Sequence, residues 1–217
     1  MTAAKLLARH AVLVLVAVCA FNAYAGAQHE EVLADSVRTA LSAAIAQTAP
    51  PEPIHANAQT QQQYEKWLTL ADARLEKRLN PRDRVGAQAS HELDSANLRR
   101  EFLQTVWYES QRAGLEPSLV LGLIEVESGF RKFAISSVGA RGFMQVMPFW
   151  TRQLAQGDAS MLFQMQTNLR FGCVILRHYL DLEKGNLTLA LGRYNGSRGS
   201  AVYPNAVLGK QRGWQVL

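Results

Sequence analysis

From Ser90 to the end of the chain, apolar residues recur at helical spacing in one segment after another, with glycines near the joins. The segments run over residues 93–113, 117–128, 144–154, 161–184 and 187–194. Gly114, Gly129, Gly157 and Gly185 fall near segment ends, where a residue free to turn left-handed closes a helix. No alternation of apolar and polar residues runs long enough for a sheet. The pattern predicts a compact all-α domain over residues 91–217.

The preceding part has a different texture. Residues 1–25 read as a signal peptide. Lys5, Arg9 and His10 give a positive start, Ala11 to Phe21 is an unbroken apolar run, and Ala23-Tyr24-Ala25 supplies a cleavage site before Gly26. The run is about half of the roughly 20 residues a membrane span needs. A lipid anchor at Cys19 is disfavoured by Val18, where that signal wants a small side chain. Export to the periplasm or cell envelope is the expectation. Residues 26–90 read as a helical extension. Val32, Leu33, Val37, Leu41 and Ile45 mark one amphipathic helix, and Trp67, Leu68, Leu70, Ala71 and Leu75 mark another over 64–79. Between them, residues 48–63 hold three prolines and a glutamine run, the composition of a linker. Residues 82–90 read as a polar loop.

The 217 residues are 48% hydrophobic and 19% charged, enough apolar mass for a core and too much for a disordered chain. The formal charge of +5 is too small for a nucleic-acid binder, so no nucleic-acid partner is expected. Cys19 leaves with the signal peptide. Cys173 remains alone in an apolar stretch and is expected to be buried and inert. His29, His55, His91 and His178 are scattered, and no metal-binding run, phosphate loop or dinucleotide fingerprint occurs. No metal and no cofactor is expected.

Chemistry concentrates after Pro117, which suits the first turn of a helix. At about 100° per residue, Leu119, Val120, Leu123 and Ile124 share one face, and Glu127 lies within it. Glu125 points away, toward the side of Leu121 and Gly122. Burial penalises a charged carboxylate and raises its pKa, giving a proton donor near neutral pH. Position alone does not separate such an acid from a structural carboxylate tied to an arginine or to backbone N–H groups. The following stretch favours the acid. Gly139, Ala140 and Gly142 allow close backbone approach, Ser136 and Gln145 are polar, and Met144 and Met147 are adaptable apolar walls. Together they describe a groove lip beside a buried acid.

Here the chain resembles the soluble lytic transglycosylase (SLT) domain family, lysozyme-like modules of the bacterial cell wall. The Glu-Ser-x-Phe element stands at 127–130. The Ala-x-Ser-x-x-Gly-Ala-x-Gly-Leu-Met-Gln-x-Met-Pro element stands at 134–148, with Phe143 where Leu is usual. A third element stands at 168–180. The Ala-Tyr-Asn-Ala-Gly element takes the form Arg193-Tyr194-Asn195-Gly196-Ser197, with a larger cation in place of the leading small residue. The match runs from Leu98 to Tyr203 in family order, about half the chain. It implies a lysozyme-like helical fold in which Glu127 is catalytic acid and then base. Ser136, Gln145, Met147, Tyr194 and Asn195 would bind substrate, with Tyr194 orienting Glu127.

The resemblance also implies a reaction: cleavage of the β-1,4 bond between N-acetylmuramic acid and N-acetylglucosamine, closing a 1,6-anhydro ring. Neither Glu125 nor Asp158 is a strong second acid, which suits a reaction whose nucleophile belongs to the substrate. A goose-type lysozyme-like hydrolase shares the fold and the acid. A non-catalytic wall-binding or assembly module is the third reading. Peptidoglycan strands are the expected partner of a monomeric enzyme, alone or beside cell-wall or secretion machinery. Arg131, Lys132, Arg141, Arg193 and Arg198 are available for the wall's carboxylates.

Overall fold

A computed structural model describes residues 57–79, 92–152 and 158–215, together with Thr39, Leu41 and Ser42. The expected signal peptide and the polar loop at 82–90 lie outside the described residues. So does most of the expected helix at 30–46, although Thr39, Leu41 and Ser42 are helical and Leu41 is fully buried.

Helix α1 (Ala58–Leu79) begins inside the expected linker. Asn57 and Thr60 cap it reciprocally: the Thr60 N–H donates to Asn57 Oδ1 at 3.0 Å, and the Asn57 N–H to Thr60 Oγ1 at 3.3 Å. Two satisfied backbone donors at the start let the glutamine run continue as helix. A 3-10 turn (Glu92–Asp94) leads into α2 (Ala96–Arg112), and α3 (Pro117–Glu127) has its proline in the first turn. The helix expected over 144–154 shrinks to α4 (Phe149–Arg152). The Val146 N–H bonds to the Arg141 carbonyl at 3.0 Å in a short antiparallel bridge, and Gln145 takes φ 50°. Pro148 then holds Met147 off the helical region. A second 3-10 turn (Ala159–Phe163) precedes α5 (Met165–Leu182), followed by α6 (Leu187–Asn195).

The last helix, α7 (Val202–Arg212), was not anticipated. Its start lacks a side-chain cap, and Pro204 and Gly209 read as breakers. Pro204 lies in the first turn, where no N–H partner is needed.

The described residues form helices and two isolated bridges, as the all-α expectation required. Helix α3 runs through the core, with Val120, Leu121, Leu123 and Ile124 fully buried. Its Leu121–Gly122 side, expected to share Glu125's outward direction, is covered by α7. The helices run antiparallel so closely that a methyl on Gly122 would stand 2.6 Å from the Gln211 backbone nitrogen. Helix α2 packs on α3 and α5, joined to α5 by the buried pair Glu109–Arg170.

Helix α1 packs across α2, with Tyr64 and Trp67 against Trp107 and an ion pair from Arg99 to Asp72 at 2.9 Å. It also reaches the end of α7. Arg74 donates to the Gly213 and Gln215 carbonyls at 3.0 and 2.9 Å, and Arg78 lies 4.0 Å above the Trp214 ring. One continuous apolar core takes in α1 with the later helices.

Candidate active site

Glu127 is the last residue of α3, and its side chain enters the seam between α3 and α7. The residue is 8% exposed. Its Oε1 accepts a 2.5 Å hydrogen bond from the Tyr203 hydroxyl, while Oε2 is buried and accepts none. Burial raises the carboxyl pKa from 4.5 to about 8, against a smaller lowering by the Tyr203 hydrogen bond. No positive group joins those causes, so the proton stays on the carboxyl through neutral pH. Burial and the neighbouring carboxylate push the Tyr203 phenol well above its usual range, so it remains a donor. An acid with one oxygen anchored and the other uncommitted can hand over a proton and take one back.

The chain after Glu127 is held by backbone geometry. Phe130 takes φ 66° and stays buried, edge-on to Phe102 and Trp214. Such a conformation costs of order 1–2 kcal/mol for a residue with a side chain, and the aromatic packing offsets it. Beyond it, the Ser136 and Gly139 N–H groups close a turn, and Ser136 Oγ accepts from the Ala140 N–H at 3.0 Å. Asn168 on α5 fastens the loop: its Nδ2 donates to the Arg141 and Leu162 carbonyls, each at 2.8 Å, and its Oδ1 accepts from the Met144 N–H at 2.8 Å. Gly142, at φ 76°, lies so near that a methyl there would stand 2.4 Å from Asn168 Nδ2.

The other sequence-derived site residues gather around this loop. Gln145 is buried, and its amide nitrogen donates to the Ala134 and Gly142 carbonyls at 3.2 and 2.9 Å, so those donors hold the loop. Ser136 and Met147 are half-buried. Tyr194 is fully buried and donates to the Met144 carbonyl at 2.8 Å, tying α6 to the loop beside Gln145. Asn195 is buried at the end of α6. The phenol bonded to Glu127 is therefore that of Tyr203, a residue the sequence reading did not single out. Its only signal was helical spacing with Val207, obscured by Pro204.

Other carboxylates are engaged elsewhere. Glu125 pairs with Arg78 at 3.1 Å and Lys210 at 2.8 Å, and accepts from Trp214 Nε1 at 2.8 Å. Asp158 is exposed and caps the 3-10 turn through the Ser160 N–H at 2.8 Å, and hydrogen bonding by the Ser160 side chain and then its backbone lowers its pKa. Arg198 and Arg193 both bind Glu183 and hold its carboxyl down at about 2, so these two cations already have a partner. Lys132 and Arg141 lie over the rings of Phe133 and Phe163 at 5.3 and 5.5 Å. Cys173 is buried, its thiol pushed well up by burial. No group of three or more His, Cys, Asp or Glu among the described residues is placed to hold a metal ion.

The helical domain thus sets a buried, protonated glutamate at a helix end beside a phenol and a glycine-rich loop. Residues 104–210 match the Transglycosylase SLT domain. The match covers just under half of the chain and includes Glu127, the loop, Tyr194 and Tyr203.

The chain is similar to the membrane-bound lytic murein transglycosylase C of Actinobacillus pleuropneumoniae serotype 5b (strain L20), with 49% identity over 49 residues, 23% of this chain and 13% of that protein. It is also 32% identical over 101 residues to the transglycosylase of Enterobacteria phage PRD1, 46% of this chain and 37% of that protein. An inactive mutant of the lytic transglycosylase Slt from Pseudomonas aeruginosa aligns over 51% of this chain and 22% of its own, with 23% identity and a TM-score of 0.41. The chain thus spans much less than two thirds of the length of the relatives it matches.

Proposed function

We propose that this domain is a peptidoglycan lytic transglycosylase that cleaves the β-1,4 bond between N-acetylmuramic acid and N-acetylglucosamine. The observation that carries the reading is Glu127: buried, with a pKa near 8, anchored at Oε1 by Tyr203 and uncommitted at Oε2.

Glu127 donates its proton to the glycosidic oxygen as the bond from C1 of the muramic acid residue breaks. The substrate's acetamido group steadies the positive charge at C1. The Glu127 carboxylate then takes the proton of the C6 hydroxyl, and O6 bonds to C1. The products are a 1,6-anhydro sugar end and a free N-acetylglucosamine end, Glu127 is protonated again, and no water is consumed. Two-carboxylate glycosidases keep their second group about 5–9 Å from the first. Glu125 is engaged by Arg78 and Lys210, and Asp158 by Ser160, so neither is offered as that second group. Ser136, Gln145, Met147, Tyr194 and Asn195 shape the substrate side. Gln145 and Tyr194 act by fixing the loop backbone.

The domain works in the cell envelope after export directed by residues 1–25. No described helix is long and apolar enough to cross a membrane. Residues 91–217 are the catalytic unit, and α1, from the 26–90 extension, buttresses it as part of a monomer.

Mass spectrometry of digested cell wall tests the reading. Muropeptides with 1,6-anhydro ends should accumulate with the wild-type chain and vanish with Glu127→Gln. Reducing ends in their place would make the enzyme a lysozyme-like hydrolase. Binding to the wall without new ends would make it an assembly module.

A further inference from the structure

The far end of α3 opens on a cavity of about 450 Å³, within the usual size range of small-ligand sites. Trp67 from α1, Trp107 from α2 and Trp214 after α7 line it, with Gln111, Gln211 and Gln215 among its polar groups. Glu116, Pro117 and Ser118 complete the wall. The Trp67 and Trp107 rings pack on each other 4.8 Å apart at 52°; Trp67 is buried, and half-buried Trp107 presents the accessible indole surface. Arg78 covers a face of Trp214 and bonds to Glu125, fixing that third ring. Among the described residues, none shares a side-chain hydrogen bond with Gln111, Gln211, Gln215, Glu116 or Ser118.

We propose that this cavity is a second saccharide-binding site, one that holds N-acetylated amino-sugar units of a glycan strand away from the point of cleavage. The inference rests on the peptidoglycan reading for the source of the sugar. The chemistry of the wall supplies the class. The accessible part of the Trp107 indole suits the C–H face of a pyranose ring, and side-chain amides pair with hydroxyl and acetamido groups. The one carboxylate, Glu116, lies at the exposed rim. Among the described residues, a lining with a single acid and no lysine or arginine suits a neutral ligand better than an anionic peptide.

Location argues that the cavity is separate from the catalytic groups. Pro117 opens α3 and Glu127 closes it, eleven residues in all, so the two places lie about 15 Å apart along the helix. Trp67, Gln211, Trp214 and Gln215 fall outside the matched 104–210 stretch. Helix α1, which precedes the matched stretch, supplies Trp67 to the cavity. Its use would be retention: a strand held at two points stays on the enzyme between cuts, because the second contact is intramolecular.

Three of the chain's four tryptophans line the cavity and the fourth, Trp150, is buried against Phe149 and Tyr179. Fluorine NMR of 5-fluorotryptophan-labelled full chain, titrated with the β-1,4-linked N-acetylglucosamine tetramer, therefore reads the site directly. The Trp107 resonance, assigned with Trp107→Phe, should shift on saturation, and also in the Glu127→Gln protein. The paired change Gln111→Ala with Gln211→Ala removes polar contacts while leaving the rings in place. It should weaken that response about tenfold with the other resonances unmoved in the free protein. A titration in which only Trp150 responds, or none does at concentrations that inhibit cleavage, overturns the proposal. Product analysis on the same samples separates the two readings. Anhydro ends without a cavity response sink this site alone, and a cavity response without anhydro ends sinks the catalytic reading alone.

Discussion

In the interior between α2 and α5, Glu109 is 1% exposed and meets Arg170 through three contacts of 2.7 to 3.0 Å. At the seam between α3 and α7, Glu127 is 8% exposed and meets one phenol. Both carboxyl groups have left water. The first is met by a guanidinium fork, which supplies a counter-charge and fixes two helices together. The second has no counter-charge, so the cheaper state is the neutral acid, and a titratable proton results. Burial by itself does not make a catalytic acid. Burial without a cation leaves the titratable proton that such an acid needs.

The sharpest break between the two regions is functional. Glu127→Gln should lower the rate of anhydro-end formation by roughly 10²–10⁴-fold, the usual contribution of a positioned general acid. Glu109 lies on the other side of the core, so its variants should reach the reaction only through folding. A Glu127→Gln enzyme that keeps most of its activity would dissolve the contrast.

The second test reads stability against pH. The folded pKa of Glu127, about 8, stands above its ordinary 4.5. The native chain then holds a proton that the unfolded chain releases. That contribution is fully present below about 4.5 and is lost as pH rises through 8. It amounts to several kcal/mol at about 1.4 kcal/mol per pKa unit. Wild type should lose stability relative to Glu127→Gln between pH 5 and pH 9 in denaturant melts. Parallel curves would mean that the carboxyl is not held neutral.

The converse applies to the ion pair. Arg170→Met leaves Glu109 buried without its cation and should cost about 3–5 kcal/mol, whereas Glu109→Gln combined with Arg170→Met should recover much of that loss. A single variant as stable as wild type would show that the pair does not hold the two helices together.

The contrast was only half legible in the chain. Apolar spacing around Pro117 placed Glu127 on a buried face, because a helix of fixed pitch converts spacing into direction. The outward side of α3 was misread, since spacing does not reveal that a later helix covers Gly122. The Met144–Met147 spacing looked helical, but the bridge at Arg141 and Val146 prevailed over propensity. Helix α7 and Tyr203 were missed because Pro204 reads as a breaker unless the first turn is known to start at Val202. The Glu109–Arg170 pair joins residues 61 apart in sequence, and no local pattern announces such a partner. The same holds for Asn168, whose three loop contacts depend on how the chain folds back.

The smallest and most discriminating effect concerns the phenol. Tyr203 donates to the charged form of Glu127 more strongly than to the neutral form, so its hydrogen bond lowers the pKa that burial raises. Tyr203→Phe removes the donor and keeps the ring packed against α3. The Glu127 pKa should then rise above about 8, and the alkaline limb of the kcat/KM profile should move to higher pH. The rate below that limb should fall about 10- to 100-fold, since a hydrogen bond to a charged group is worth about 1.5–3 kcal/mol and the carboxylate exists after the first proton transfer. A merely structural tyrosine would lower the rate without moving the limb. A limb moving to lower pH would mean that Tyr203 favours the neutral acid, reversing the sign of its role. Tyr194→Phe provides the contrast: it frees the Met144 carbonyl, so it should loosen the loop and raise KM without displacing the limb.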